Sequence, residues 1–99
     1  MSSTTAAVPT EHAERYLQQL CKHWAHKLQV EVNDNRARIV MPSGAITSLD
    51  AGTDALDVRI DAADAEMLAI TKDVVVRHLD RFAFREAPLA FHWTDDTLA

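Results

Sequence analysis

Apolar residues recur at every third or fourth position in two segments of the chain, which is the spacing of an amphipathic helix. The first segment covers residues 11–27, and Pro9 and Thr10 precede it as a stop and a helix cap. At about 100° per residue, its apolar side chains gather on one face. We therefore predict a first helix over residues 11–27, whose buried face is formed by Ala13, Tyr16, Leu17, Leu20, Trp24 and Leu28.

The second helical segment is predicted to begin at Asp61. Asp64 stands three residues later, in a variant of the capping box, where side chains accept hydrogen bonds from the first backbone N–H groups of a helix. The helix should end at about Phe82 or Phe84, because Pro88 follows and the residue before a proline avoids helical geometry. Its apolar positions are Met67, Leu68, Thr71, Val74, Val75, Leu79 and Phe82.

Between these helices, apolar and polar residues alternate, which is the period of a strand with one buried face. Four such segments, LQVEVN, RARIVM, AITSLD and ALDVRID, are separated by short turns rich in Asp, Asn, Pro and Gly. They predict an antiparallel meander. Outside it, residues 4–8 are predicted as a short edge strand, residues 89–93 (LAFHW) as a last strand, and TDDTLA as a frayed polar tail.

The order of elements is therefore strand, helix, four strands, helix, strand. This order predicts an α+β fold, a two-layer sandwich in which both helices pack on one face of a mostly antiparallel sheet. Residues 1–99 should form a single domain with an ordered core over about residues 4–93 and polar tails at both ends. Much of the layer between helices and sheet should be filled by Trp24, Phe82, Phe91 and Trp93.

Composition narrows the class of protein. With 99 residues, 47% of them hydrophobic and 25% charged, the chain suits a soluble globular domain rather than a disordered or fibrous protein. Its net charge of -5 would repel a phosphate backbone, so nucleic acid is not expected as a partner. No segment approaches the roughly 20 apolar residues that span a bilayer. With one cysteine and no leader pattern at its start, we expect a cytoplasmic protein without a membrane partner.

The stretch LCKHWAHK, residues 20–27, holds a thiol and two imidazoles. On an intact helix, His23 and His26 share one flank and Cys21 points to the opposite flank, so the three cannot hold one ion together. The two imidazoles are either half of a metal site or a partly solvated flank that is hydrogen-bonded to its neighbours. A metal site would need a further ligand from His12, His78 or His92.

His78 lies within the apolar face of the second predicted helix, so it should be at least partly buried. It is either a core histidine that donates to a backbone carbonyl, or a neutral imidazole that orients a carboxylate or phosphate together with Arg81 and Arg85. Arg85 and Glu86 could equally form a surface ion pair of little energetic value. The alternatives stay open, and no cofactor is assigned.

Catalytic motifs are scarce. No Gly-x-Ser-x-Gly segment marks a nucleophilic serine, and neither Gly44 nor Gly52 belongs to a phosphate-binding loop. Cys21 lies at the edge of the buried helix face, which favours a structural thiol over a nucleophile. We therefore expect a protein that is not an enzyme.

Three segments resemble a known family: RYLQQLCKHWAHK (residues 15–27), RARIVMPSG (residues 36–44) and HLDRFAFREAPLAFHW (residues 78–93). The chain resembles, over nearly all of its length, the small bacterial proteins of the Domain of Unknown Function 2218 family. The resemblance implies no activity. The resemblance does imply a link to iron acquisition, because related segments also appear joined to siderophore-interacting, flavin-dependent ferric reductase-like domains. The matching positions are Leu20, Cys21, Lys22, His23, Trp24, His26, Lys27, His78, Leu79, Arg81, Phe82 and Phe84.

These observations lead to three hypotheses of function. The first is a non-enzymatic ligand-binding or accessory module in siderophore or iron handling, whose partner is a siderophore-interacting reductase or a small anionic ligand. The second is a small metal-dependent or thiol-using enzyme, with a metal held by His23, His26 and His78. The third is a protein-interaction domain that pairs through the predicted sheet edge at residues 4–8. The candidate ligand-binding residues are His23, His26, Lys27, His78, Arg81 and Arg85.

Overall fold

The computed structural model describes residues 2–97, which form six strands and two helices in the predicted order. A strand and a helix come first, and the meander of four strands follows. The second helix is longer than the first. The elements are β1 (Ser2–Pro9), α1 (Ala13–Trp24), β2 (Gln29–Asn33), β3 (Arg36–Val40), β4 (Ile46–Ala51), β5 (Ala55–Ala62), α2 (Ala65–Phe82) and β6 (Thr94–Thr97).

All six strands belong to one antiparallel sheet with the order β2-β3-β4-β5-β1-β6. β1 pairs with β5 over its whole length and with β6 over residues 2–5. The prediction that residues 4–8 form an edge strand is therefore wrong, because the end of the chain returns to the sheet beside β1. β2 and β6 are the outermost strands of the described sheet.

Both helices cover the same face of the sheet. α1 contacts β2, β3, β4 and β5, whereas α2 contacts β5 and β1. The strand register aligns Thr4, Ile60, Thr47 and Ile39 in one buried row on this face. A neighbouring buried row consists of Ala6, Val58, Leu49 and Ala37. The fold is an α+β two-layer sandwich, as predicted.

The helices begin later than the pattern predicts. Thr10 does not cap α1 directly; its hydroxyl accepts from the His12 N–H at 3.1 Å, and the helix starts at Ala13. Asp61 belongs to β5, where it has strand partners on both sides, so the chain stays extended there. Asp64 is the cap of α2, because its carboxylate accepts from the backbone N–H of Met67 at 2.8 Å.

The last strand lies further along the chain than predicted. Residues 89–93 form no strand, although Leu89 is buried and its N–H donates to the Asp80 carboxylate at 2.9 Å. Phe91 and Trp93 stack with ring centroids 5.4 Å apart and pack on the core. Their alternation therefore reflects apolar packing without a strand partner. The polar residues of TDDT form β6 instead, and the last two residues of the predicted tail, Leu98 and Ala99, lie outside the described residues.

The meander begins with β2, an outer strand of the sheet that the helices only partly cover. Val30 of β2 is half-buried, whereas Val32 is 52% exposed. A groove of about 340 Å³ separates this edge from α1. The alternation in β2 correctly predicts a strand, but its predicted buried face is incomplete because the helix layer ends above β2. Across residues 2–97, neither helix combines the length and the apolar character needed to cross a membrane.

Candidate functional site

The flanks of α1 and α2 meet at a group of rings. The His23 ring centroid lies 5.4 Å from that of His78 and 5.7 Å from that of Phe82. The Trp24 ring centroid lies 5.1 Å from that of His78. Side chains that are 55 residues apart in sequence, His23 and His78, are thus neighbours at the junction of the two helices.

His78 is half-buried, and its Nδ1 atom lies 2.7 Å from the carbonyl oxygen of Val74, one helical turn earlier. A carbonyl oxygen can only accept, so Nδ1 carries the proton and donates it. This is the core-histidine arrangement considered from the sequence. Because Nδ1 takes part in this hydrogen bond, Nε2 is the ring nitrogen that is left for another partner.

The other predicted ligand-binding residues do not join this pair. α1 ends at Trp24, so the helical spacing that would place His26 beside His23 no longer applies at residue 26. His26 and Arg81 are exposed, and no ring contact, hydrogen bond or ion pair within residues 2–97 links either one to the histidine pair. Lys27 and Arg85 line two different concavities at opposite ends of the helix junction.

The histidine pair supplies two nitrogen ligands. A structural zinc site takes four ligands, and a catalytic site takes three from the protein. In the part of the chain that the structure describes, no group of three or more His, Cys, Asp or Glu side chains is placed to hold a metal ion. The metal site at His23, His26 and His78 therefore stays a prediction, and it would need ligands from a second molecule or from a substrate.

A cavity of about 410 Å³ opens beside the junction, between the end of α1, the turn from β3 to β4, and α2. This volume lies within the range of small-molecule sites. Gly44, with a φ of +91°, permits the tight turn in which its N–H bonds the Met41 carbonyl. That turn carries side chains to the cavity. Its walls are mainly apolar and include Trp24, Leu28, Met41, Ile70 and Val74.

Lys27 is the one cationic residue that lines this cavity, and Ser43 adds a hydroxyl group. Lys27 is exposed, and none of the carboxylates among the side chains of residues 2–95 forms an ion pair with it. Ile70 is 49% exposed at the same place. The cavity therefore combines an uncovered apolar wall with an ammonium group that has no counter-ion in the described chain.

A larger groove of about 700 Å³ lies on the opposite face of the sheet. Both of its arginines, Arg36 and Arg59, have carboxylate partners. Arg36 lies 3.4 Å from Asp50 on the neighbouring strand, and Arg59 makes two hydrogen bonds of 3.1 Å to Asp61. The charges of this groove largely neutralise one another, so it offers weaker attraction to a charged ligand than its size suggests.

A comparison with known proteins identifies the family of this chain. The family model described as an uncharacterized protein conserved in bacteria, DUF2218, matches residues 5–94. The chain belongs to this family. The resemblance drawn from the three sequence segments is thereby confirmed, whereas the match says nothing about siderophores, iron or activity.

A solved structure with a similar fold supports the architecture. The NMR structure of PA4090 from Pseudomonas aeruginosa is 35% identical and has a TM-score of 0.80 with this chain. The similarity covers 95% of this chain and 96% of that one. Among curated proteins, no significant match was found.

Cys21 of this DUF2218 member is buried, with 4% of its surface exposed. Burial raises the pKa of its thiol, because the charged thiolate is poorly solvated there. A reactive cysteine instead needs a lowered pKa and access to solvent. The structural role predicted for Cys21 agrees with this environment.

A hydrogen-bond network at the other end of α1 was not predicted. The Glu86 carboxylate accepts from the Thr10 hydroxyl at 3.1 and 3.0 Å and from the Tyr16 hydroxyl. Burial raises the pKa of Tyr16, and the Glu86 carboxylate raises it further. Glu86 thus ties the segment after α2 to the start of α1, and the surface ion pair with Arg85 considered from the sequence is not formed.

The sequence reasoning also missed the walls of the cavity. Met41 and Ser43 come from a turn, and nothing local indicates that this turn approaches the end of α1. Ile70 did carry a signal, because it is an apolar residue outside the apolar face of its helix. A single exposed apolar residue is common on protein surfaces, so Ile70 becomes informative only because the structure places it beside other apolar side chains in the cavity wall.

Proposed function

We propose that this DUF2218 member is a non-enzymatic ligand-binding module whose site is the cavity of about 410 Å³ beside the helix junction. The observation that carries the proposal is the combination of apolar walls with Lys27, which has no carboxylate partner in the described chain. Small-molecule sites commonly pair an apolar lining with a few polar groups that orient the ligand. The ligand is a small molecule with an apolar body and one anionic group.

The Lys27 ammonium group would bind the anionic group of such a ligand. A hydrogen bond between charged partners contributes about 1.5–3 kcal/mol when it forms without strain. Ile70 and Met41 support the apolar part, since covering their side chains removes apolar surface from water. The ligand therefore lies with its body between α2 and the β3–β4 turn, and with its anionic group toward Lys27.

His23 and His78 do not line this cavity, but they contact residues that do. His78 contacts the ring of Trp24 and donates to Val74, and both of these residues line the cavity. His23 packs against His78 in turn. We assign the two histidines a positioning role, in which they hold the Trp24 wall in place.

The finer hypothesis is siderophore or iron handling, with a siderophore-interacting reductase as a partner. It comes from the family resemblance, and the cavity supports only the chemical class of an apolar anion. Ferric siderophores belong in the test as one arm, beside iron-free ligands of the same class.

The experiment is an NMR titration of the two indole N–H signals, because the chain has two tryptophans. Trp24 lines the cavity, whereas Trp93 stacks on Phe91 and serves as an internal control. The probes are octanoate, its neutral analogue octanamide, a ferric catecholate and a ferric hydroxamate. We expect a saturable shift of the Trp24 signal with an anionic probe, a smaller one with octanamide, and none at Trp93.

Matched variants test the site. Lys27→Gln should weaken octanoate binding about tenfold, by the loss of one charge-assisted hydrogen bond, while Lys22→Gln on the neighbouring helix surface should leave it unchanged. A His23→Ala, His78→Ala double variant should broaden the Trp24 signal and weaken binding. If octanoate shifts neither indole, or if both lysine variants behave like the parent protein, this site assignment is wrong.

The other two hypotheses have less support. A thiol-using enzyme would need an accessible Cys21, which is buried. A metal-dependent enzyme would need a third ligand, and native mass spectrometry with Fe(II), Fe(III) and Zn(II) tests this directly: a stoichiometric ion that His78→Ala abolishes would favour it. A protein-interaction domain would use the outer strands β2 or β6 more readily than residues 4–8, because Thr4 and Thr5 already pair with strands on both sides.

A further inference from the structure

A second concavity lies at the opposite end of the helix junction. It has a volume of about 260 Å³ and lies between the first half of α1 and the segment that follows α2. Arg15 and Gln19 are one helical turn apart, so they project on the same side of α1. The lining residues are Arg15, Tyr16, Gln19, Phe82, Phe84 and Arg85.

Two guanidinium groups, one from α1 and one from the segment after α2, therefore line one groove. Across the described chain, neither Arg15 nor Arg85 forms an ion pair with a carboxylate. Glu86 is the nearby acid, but its oxygens accept hydrogen bonds from Thr10 and Tyr16. The donors of both arginines thus remain available to an incoming oxyanion, and a guanidinium fork matches a carboxylate in two parallel hydrogen bonds.

An uncovered aromatic ring stands beside these cations. Phe84 is 72% exposed, the highest value among the large apolar residues that the structure describes as exposed. The guanidinium carbon of Arg85 lies 5.7 Å from the centroid of the Phe84 ring, which is within cation–π range. Phe82, half-buried, continues the apolar surface toward His23. A ligand that bound only the arginines would leave Phe84 in water, whereas one with a flat ring would cover it.

We propose that this groove is a second, separate binding site, which takes a small aromatic carboxylate. Its carboxylate bridges Arg15 and Arg85, the Gln19 amide donates to the same group, and its ring packs on Phe84. The volume of the groove suits a single-ring compound rather than a nucleotide or a peptide. The site shares no lining residue with the cavity of Lys27. Its test is therefore independent of the function proposed for that cavity.

The test is an NMR titration that follows the arginine Nε–Hε signals and the Phe84 ring protons of the full chain. The probes are benzoate, neutral benzamide and inorganic phosphate at constant ionic strength. Benzoate should shift the Arg15, Arg85 and Phe84 signals along one saturable curve. Benzamide lacks the charge and phosphate lacks the ring, so each should bind at least about tenfold more weakly.

Variants separate the site from general surface effects. Arg15→Gln and Arg85→Gln should each weaken benzoate binding about tenfold. Arg81→Gln is the matched control, because Arg81 is exposed near the end of α2 and does not line the groove. Phe84→Ala should bring benzoate and phosphate to similar affinities. The absence of a saturable shift overturns the proposal. Equal binding of benzamide and benzoate also overturns it, as does equal binding of phosphate and benzoate in the parent protein. An equal effect of Arg81→Gln and Arg85→Gln overturns it too.

Discussion

Thr47 lies in the core between the sheet and the helices, and replacing it tests how that core is packed. Its side chain is completely buried under the helices, and its hydroxyl is without a hydrogen-bond partner in the described chain. A buried polar group without a partner loses its hydrogen bonds to water and gains none in return. We expect Thr47→Val, which replaces the hydroxyl with a methyl group of similar shape, to stabilise the protein.

The magnitude follows from the cost of an unsatisfied group. Leaving a buried donor or acceptor unpaired costs about 1–3 kcal/mol, and we expect the valine variant to recover about 1 kcal/mol of it in the free energy of unfolding. For a chain of this size, 1 kcal/mol raises the melting temperature by roughly 4–8 °C. Urea unfolding followed by circular dichroism measures the change, and the m-value should stay constant if the unfolded state is unaffected.

Thr4 provides a matched control in the same buried row of the sheet. It is 1% exposed, but its hydroxyl donates to the Thr94 carbonyl at 3.2 Å. Thr4→Val loses that hydrogen bond and should destabilise the protein by about 0.5–1.5 kcal/mol. If Thr47→Val destabilises it by a similar amount, the Thr47 hydroxyl has a partner and the reasoning is refuted.

Three further predictions concern single groups. The one tyrosine of the chain should ionise above pH 10.0 in an absorbance titration, because burial and Glu86 raise the pKa of Tyr16, and Glu86→Gln should lower that pKa. The unfolded state releases the phenol proton first, so this contribution to stability is complete below pH 10.0 and is lost as the pH rises through the raised pKa. Burial raises the pKa of Cys21, so iodoacetamide should alkylate the folded protein much more slowly than the urea-unfolded protein at neutral pH, and equal rates would contradict its burial. Asp64→Ala should reduce the free energy of unfolding by about 1 kcal/mol through the lost helix cap, whereas a measured loss for Asp64→Asn of the same size would argue against that cap.

The structure brings together only part of the site that the sequence predicts. His23 and His78 were named as candidates, and the structure brings their rings together at the helix junction. His26 was named because helical spacing was extended past Trp24, where the helix ends. Lys27 and Arg85 lie at separate concavities. The sequence therefore assigned to one place a set of residues that the structure distributes between the helix junction, two separate concavities and the exposed surface.

The sequence by itself determined the element types and the faces they bury. The spacing of apolar residues in α1 and α2 and the alternation in β3 and β5 are local properties, because each side chain direction follows from the residue number within its own element. Those patterns are enough for the α+β sandwich with both helices on one face.

Only the tertiary structure decided which strands are neighbours and where concavities form. The polar segment TDDT becomes β6 because the backbone of β1 offers it hydrogen bonds, and backbone hydrogen bonds do not depend on an apolar pattern. The more apolar residues 89–93 pack on the core without a strand partner. Both candidate sites lie between elements that are distant in sequence, and the space between two elements depends on their relative placement, which no single segment encodes.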